Sequence, residues 1–218
     1  MFHKGPSKDR GSTKLAISNI ILVANAFIWY LIAFNTLKSL LSQQNATSAD
    51  TLMVLGSNTG AIAIAGLIGT LIVGKALKHR RFLYLWISSG IILSLLPLVF
   101  NETNITTLMV LSLIFGVYFG LGMPATMGYS SGFTKVENRA KIGGFTFLIV
   151  GITFAFTSVL AQTSLIVISS ILVVLRIIGL LTLFSINGKE SASRFLVKDN
   201  EKQVKYSHII FNKSFILY

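Results

Sequence analysis

The chain has 218 residues, of which 53% are hydrophobic and only 12% are charged. Soluble domains carry about 25% charged residues, so this composition excludes an ordinary water-soluble globular protein. The absence of cysteine excludes disulfide frameworks, thiolate metal sites and cysteine nucleophiles. A net charge of +12 would suggest nucleic acid in a polar protein. Here the basic residues stand between long apolar runs, and they are interpreted as topology signals.

Six apolar stretches are long enough to cross a lipid bilayer. A hydrocarbon core about 30 Å thick requires about 20 helical residues at a rise of about 1.5 Å each. The predicted spans are residues 15–37, 51–73, 82–100, 105–131, 143–162 and 165–187. They lack the alternating pattern of barrel strands, and unpaired sheet edges are excluded in lipid. We therefore predict an all-α, polytopic membrane bundle of six transmembrane helices.

The basic residues lie almost entirely on one side of these spans. With the amino terminus on the first side, the only exceptions among 19 lysines and arginines are Lys38 and Arg176. The positive-inside rule then predicts that both termini lie in the cytoplasm, and the plasma membrane is the expected location. Residues 1–14 are a cytoplasmic segment, 15–187 form the bundle, and 188–218 are a cytoplasmic linker that runs into a possible seventh helix. Charge in alternate loops serves insertion, so nucleic acid is not an expected partner.

The second and fourth spans carry rows of small residues that predict close helix contacts. The rows are Gly56 and Gly60, followed by Ala61, Ala65 and Gly69, in the second span, and Gly116, Gly120, Pro124 and Gly128 in the fourth. The ring of Pro124 presses on the carbonyl of Gly120, which predicts a bend. These rows represent either ordinary tight packing or a helix that flexes as a gate.

Polar residues inside the spans are the candidates for a substrate path. An amide in hydrocarbon usually faces the bundle interior or water, and a charge at the centre costs from about 2.5 to more than 10 kcal/mol. Arg176 lies midway along the sixth span. It either contacts an anionic substrate or bonds to carbonyls of neighbouring helices. The substrate-path candidates are Asn25, Trp29, Asn58, Tyr118, Thr153 and Arg176.

The sequence carries no recognisable catalytic motif. It has no P-loop, no HExxH and no GxSxG, and its three histidines and seven acids form no cluster of metal ligands. We therefore expect neither an enzyme nor a protein that holds a metal or cofactor.

The passage GFTKVENRAKIGG between the fourth and fifth spans, together with the basic loop after the second span, resembles the amino-terminal half of a major facilitator superfamily transporter. The resemblance covers about residues 15 to 187. Its most specific stretch contains Glu137, Asn138, Arg139, Lys141 and Gly144, which are similar to the family's common connection between the fourth and fifth helices.

The signature between the second and third helices of the family is only partly present. The pattern is G-x3-D-(R/K)-x-G-x-(R/K)-(R/K), and here Gly69 and Lys78 match it. Val73 stands in the place of the aspartate, which in the family helps to latch the cytoplasmic ends of the two halves. The resemblance therefore implies a latch that is weaker or differently built.

Family members usually combine two six-helix halves and hold the substrate between them. The resemblance implies that this chain is a truncated or half-size carrier of a small solute, which works with a second six-helix half or a homodimer mate in the lipid bilayer. The alternative is a non-transporting membrane protein or degenerate remnant that only assembles with a partner. A small-molecule membrane enzyme ranks third.

Overall fold

The computed structural model describes residues 7–76, 80–99, 104–134, 138–160 and 164–185, and every regular element in these ranges is helical. The helices are α1 (Ser7–Gln43), α2 (Ser48–Ala76), α3 (Arg80–Leu93), α4 (Leu96–Val99), α5 (Ile105–Phe133), α6 (Arg139–Leu160) and α7 (Leu165–Ser185). With α3 and α4 taken as one span, they provide six segments long and apolar enough to cross a membrane. The predicted all-α, six-helix bundle of a multi-pass membrane protein is confirmed. The predicted linker 188–218 lies outside the described residues.

Helix α1 is the central helix of the bundle and contacts α5, α6 and α7. It begins inside the segment 1–14 that was expected to precede the bundle. It ends in a Schellman motif, in which Asn45 adopts a left-handed φ of 49° and Ala46 N–H donates to the Leu41 carbonyl at 3.2 Å. Thr47 and Asp50 then cap each other's backbone N–H groups and start α2. These local signals fix the turn between the first two spans.

The third span is interrupted near its end. The sequence predicted one helix over residues 82–100, but α3 ends at Leu93 and the short α4 follows it. Pro97 lies within α4. A proline lacks the backbone N–H and its ring presses on the carbonyl four residues earlier, which here belongs to Leu93. The interruption therefore coincides with the carbonyl that the proline ring displaces.

The closest helix contact joins α2 to α5 through glycine. A Cβ added at Gly120 would lie 2.6 Å from the Ile62 carbonyl oxygen and 2.9 Å from the Ala65 Cβ. A Cβ at Gly116 would lie 2.6 Å from the carbonyl oxygen of Asn58. Both distances are shorter than a van der Waals contact, so only glycine permits the backbones to approach this closely. Small residues favour such contacts in membranes, where burial of apolar surface does not drive helices together.

Three of the predicted glycines do not take part in this contact. Gly56, Gly60 and Gly128 are exposed, and a Cβ at any of them would meet no atom within 4 Å. At about 100° per residue, Gly56 and Gly60 lie on the opposite side of α2 from Asn58. The GxxxG pair therefore faces outward, and the second row of small residues on α2 makes the contact instead.

The contacts between helices follow a symmetric pattern. We take α1, α2 and α3 as one unit and α5, α6 and α7 as a second, so that α1 corresponds to α5, α2 to α6 and α3 to α7. The contact of α2 with α5 then corresponds to that of α6 with α1, and the contact of α3 with α5 corresponds to that of α7 with α1. The contact of α1 with α5 and the contact of α3 with α7 each stay the same when the two units are exchanged. Six consecutive spans alternate in direction, so the second unit is inverted relative to the first. This arrangement is typical of an inverted repeat.

The alternation of the spans can be tested by single-cysteine labelling, because the chain has no native cysteine. The exposed residues Arg81 and Lys141 lie at the start of α3 and α6. The exposed Ser48 and Asn104 lie at the other end, where Ser48 begins α2 and Asn104 precedes α5. Cysteines introduced at the first two positions should react with a membrane-impermeant maleimide from one side, and those at the other two from the opposite side. Labelling of positions 81 and 141 from different sides would contradict the fold.

The glycine contact predicts a large difference between two otherwise similar substitutions. Gly120→Leu should lower the free energy of unfolding by about 2 kcal/mol or more, because its side chain overlaps the α2 backbone. Gly60→Leu should change it by no more than about 0.5 kcal/mol. Titration with sodium dodecyl sulfate in mixed micelles measures both values. Equal losses for the two variants would show that the α2–α5 contact is not the limiting one.

Candidate functional site

The centre of the bundle holds a buried arginine among aromatic rings. Arg176 on α7 has no exposed surface. Its guanidinium carbon lies 4.5 Å from the ring centroid of Trp29, 4.7 Å from that of Trp86 and 5.1 Å from that of Tyr118. Together with Asn25 these residues are called the arginine cage. The cage joins α1, α3, α5 and α7.

Asn25 connects the guanidinium of Arg176 to the backbone of α7, the helix that carries Arg176. Arg176 Nη1 donates to Asn25 Oδ1 at 3.3 Å, and Asn25 Nδ2 donates to the carbonyl of Leu175. A Cβ added at Gly179 would lie 2.9 Å from Asn25 Oδ1, so this glycine leaves the space that the amide occupies. One side chain of α1 thus forms hydrogen bonds both with Arg176 and with a carbonyl of α7.

The aromatic rings are held in place by hydrogen bonds of their own. Trp29 Nε1 donates to Ser94 Oγ at 2.7 Å, and Ser94 Oγ donates to the carbonyl of Gly90 at 2.6 Å. Trp86 Nε1 donates to the Tyr118 carbonyl, and the Tyr118 hydroxyl donates to the Trp86 carbonyl, both at 2.8 Å. The reciprocal pair keeps the two rings stacked with centroids 5.1 Å apart. The rings that face the cation therefore have little freedom to turn away.

The described chain offers the cation no carboxylate partner. Arg176 Nε and Nη2 have no hydrogen-bond acceptor there, and the only acid whose side chain is described, Asp50, lies at the amino end of α2. A desolvated cation–π contact contributes about 2 kcal/mol or more. Three of them are of the size needed to offset much of the cost of a charge at this depth. The cage is thus the electrostatic environment that makes the buried arginine tolerable.

The sequence interpretation missed part of the cage. Trp86 was not among the predicted residues, although Trp86, Gly90 and Ser94 follow one another at four-residue intervals and so share one face of the third span. A Cβ at Gly90 would lie 2.7 Å from Arg176 Nε. The indole of Trp86 occupies the space beside Gly122. The sequence signal that could have identified Trp86 is this stripe of an aromatic residue, a glycine and a serine on one face of the span.

Asn58 lies apart from the cage and has different partners. Its Nδ2 donates to the Ser112 carbonyl at 2.7 Å, and its Oδ1 accepts from the Tyr30 hydroxyl at 2.8 Å. Ser112 Oγ in turn donates to the Val54 carbonyl at 2.6 Å. Asn58 is fully buried. It was predicted to line a substrate path, but the structure places it in the α2–α5 contact with both ends of its amide bonded to protein.

The other predicted residues are placed as follows. Thr153 is half-buried on α6, where its carbonyl accepts from Thr157, and no described contact joins it to the cage. A Cβ at Gly69 would lie 3.2 Å from the Leu121 carbonyl oxygen, so this residue extends the α2–α5 contact. The helix α5 continues through Pro124 without a break.

The loop motif between α5 and α6 is described in part. Arg139 Nη2 donates to the Ser131 carbonyl at 3.1 Å and so connects the start of α6 to the end of α5. Lys141 is exposed. Lys78 and Glu137 lie outside the described residues.

Two described cavities lie at opposite ends of the bundle. The α5–α6 cavity, of about 280 Å³, lies between α1, α5 and α6 and is lined by Val23, Met127, Ser130, Arg139 and Phe147, among others. The second, of about 570 Å³, is lined by residues of α1, α4 and α7 and includes Gln43. Residues of the arginine cage line neither of them. All five residues of the cage are buried, whereas both of these cavities lie at the ends of the bundle.

Among the residues that the structure describes, no group of three or more His, Cys, Asp or Glu side chains could hold a metal ion. Comparison of the chain with protein-family models, with curated proteins and with solved structures finds no match.

The cage predicts a specific energetic coupling. Trp29→Leu should lower the free energy of unfolding more in the native chain than in an Arg176→Met background. In the native chain the substitution leaves the buried cation with fewer ring contacts, whereas in the Met background no cation is present. The expected coupling is about 2 kcal/mol, measured by detergent denaturation of the two single variants and the double variant.

Phe115 supplies the control for this cycle. Its ring packs edge-on against Trp29 at 5.6 Å but makes no described cation–π contact with Arg176. Phe115→Leu and Arg176→Met should therefore be additive within about 0.5 kcal/mol. Equal coupling for Trp29 and Phe115 would contradict an electrostatic role of the cage.

Proposed function

We propose that this chain is one six-helix half of a carrier similar to the major facilitator superfamily, which moves a small solute by alternating access and performs no covalent chemistry. A second six-helix unit, either another chain or a second copy, completes the carrier. The observation that carries the proposal is the symmetric contact pattern of the two three-helix units, because inverted repeats of this kind build the halves of such transporters.

Alternating access needs halves that move as rigid bodies, and the described contacts favour a rigid half. The arginine cage joins α1, α3, α5 and α7 at the centre, and the glycine contact joins α2 to α5. Packed interfaces of this kind resist continuous deformation. Pro124, one turn beyond Gly120, is the proposed site of a bend in α5.

The distribution of basic residues supports the orientation in this proposal. Basic residues cluster around the connections that precede α3 and α6, whereas the opposite end of the bundle has only Lys38, near the end of α1. The positive-inside rule then places the α5–α6 connection and both termini in the cytoplasm. A plasma membrane is the proposed location.

One observation favours an alternative in which the chain only assembles with a partner and does not transport. Gly56 and Gly60 form a GxxxG pair that faces away from the bundle with open space beside each residue. Such pairs permit close contact between transmembrane helices. A transport measurement separates the two proposals.

Uptake into proteoliposomes tests the carrier proposal. The chain is reconstituted at densities that place one copy, or two and more copies, in each vesicle, and again together with a candidate complementary half. Labelled amino acids, sugars and organic acids serve as probes. We expect saturable uptake only in vesicles that hold two six-helix units, because one half cannot enclose and release a solute.

The Gly120→Leu and Gly60→Leu variants separate the two outcomes. Under the carrier proposal, Gly120→Leu abolishes uptake because it disrupts the half, whereas Gly60→Leu retains it. The assembly alternative predicts a different pair of results. No probe is transported in either reconstitution, and the chain forms dimers that the Gly60→Leu substitution dissociates.

A further inference from the structure

The α5–α6 cavity has chemistry that the arginine cage lacks, because it is open and carries a cation. It lies between α1, α5 and α6, where α5 ends and α6 begins. Arg139 lies at its mouth and is exposed. One of its N–H groups is bonded to the Ser131 carbonyl, so the rest of the guanidinium is available to a ligand. Within the described lining there is no Asp or Glu to neutralise it.

The polarity of the cavity changes along its length. At the mouth it is lined by Ser130, Thr134 and Arg139. About 12 Å further along α6, at a rise of about 1.5 Å per residue, Phe147 contributes an apolar wall together with Val23 and Met127. The cavity therefore fits a molecule with one polar end and one apolar end.

Aromatic rings limit how far a ligand can extend into the bundle. Phe27 packs against Phe147 at 5.5 Å and against Phe119 at 6.0 Å, one turn of α1 beyond Val23. A volume of about 280 Å³ is at the small end of ligand pockets, which span about 300–1,000 Å³. A long acyl chain does not fit this space, whereas a compact ring or short branched chain does.

Hydrogen bonding among the residues that line the cavity indicates the charge of the ligand. Thr134 Oγ1 donates to the Ser130 carbonyl and Thr146 Oγ1 donates to the Ile142 carbonyl, so both hydroxyl protons are already used. Arg139 and the Ser130 hydroxyl remain as donors. A single cation with one further donor matches a single carboxylate, since charge-assisted bonds to guanidinium are the strongest available to it.

A buried amide lies close to this region. Asn19 is fully buried on α1, one turn from Val23 on the same face, and neither atom of its amide has a hydrogen-bond partner. A buried amide without partners is costly in a native protein. Asn19 does not line the cavity itself, so its amide marks an unsatisfied polar group beside the cavity and is not one of the ligand contacts.

We infer that the α5–α6 cavity binds a small organic monocarboxylate with an apolar body, its carboxylate on Arg139 and its body against Phe147. The binding itself is a property of this chain. That the bound acid is the transported solute rests on the proposed carrier function.

Equilibrium binding of radiolabelled benzoate to the full chain in nanodiscs of zwitterionic lipid tests the site. Benzoate should bind saturably, and benzamide, its neutral analogue, should compete about tenfold more weakly. Arg139→Gln should weaken benzoate binding about tenfold, because it removes the cation. Lys141→Gln removes the same charge from an exposed residue outside the cavity lining, and should change binding less than twofold, since exposed charges are largely screened.

A second pair of variants tests the cavity without changing charge. Gly143 lines the cavity and Gly144 does not, and a Cβ at either would meet no atom within 4 Å. Gly143→Leu should therefore fold and abolish benzoate binding by filling the space, whereas Gly144→Leu should retain it. Elution as a single monodisperse species checks that each variant is folded.

Three results would overturn the inference. They are equal affinity for benzoate and benzamide, equal effects of the Arg139 and Lys141 variants, and stronger binding of palmitate than of benzoate, which would assign the cavity to lipid. Binding measured on the chain alone does not require a second half. A failure of uptake with benzoate binding intact would therefore reject the carrier proposal and leave the site standing.

Discussion

The structure depends on the burial of one guanidinium in a part of the chain that provides no carboxylate to neutralise it. A charge in hydrocarbon must be compensated, and water is distant from the middle of α7. The compensation comes from the faces of Trp29, Trp86 and Tyr118 and from the amide of Asn25. Because these groups belong to three other helices, no one of the four can leave without exposing the cation to lipid. The cost of the charge therefore becomes a constraint on helix arrangement.

The contact of α2 with α5 works by a different principle, and it lies outside the cage. Apolar side chains gain nothing by leaving lipid for one another, so close approach of backbones must supply the attraction. Gly116 and Gly120 permit that approach, and Asn58 adds hydrogen bonds across it. The first principle holds α1, α3, α5 and α7 together, and the second attaches α2. Helix α5 takes part in both, through Gly116 and Gly120 in the contact with α2 and through Tyr118 in the cage.

The sequence was sufficient for the number of spans, because length and hydropathy determine what can cross a bilayer. It also identified Asn25, Trp29, Tyr118 and Arg176 as unusual, since each carries a polar group into hydrocarbon. It could not show that they meet, because a one-dimensional pattern does not specify which helix faces which. The same limit applies to Gly56 and Gly60: their spacing identified a small-residue face, and only the packing of α2 shows that the contact with α5 uses another face. The interruption of the third span could have been predicted from Pro97, since proline interrupts the hydrogen bonds of an α-helix.

The placement of these polar groups bears on how a half-carrier would work. A group that binds and releases a solute must be reachable, and the interactions that keep a body rigid must not be broken in each cycle. Arg176 satisfies the second requirement and fails the first, since it has no exposed surface and its surroundings are filled by rings and glycine contacts. Arg139 satisfies the first, since it is exposed at the mouth of a cavity. The two arginines therefore have different roles: Arg176 in the centre holds the helices of the bundle together, and Arg139 at the end is available to a ligand.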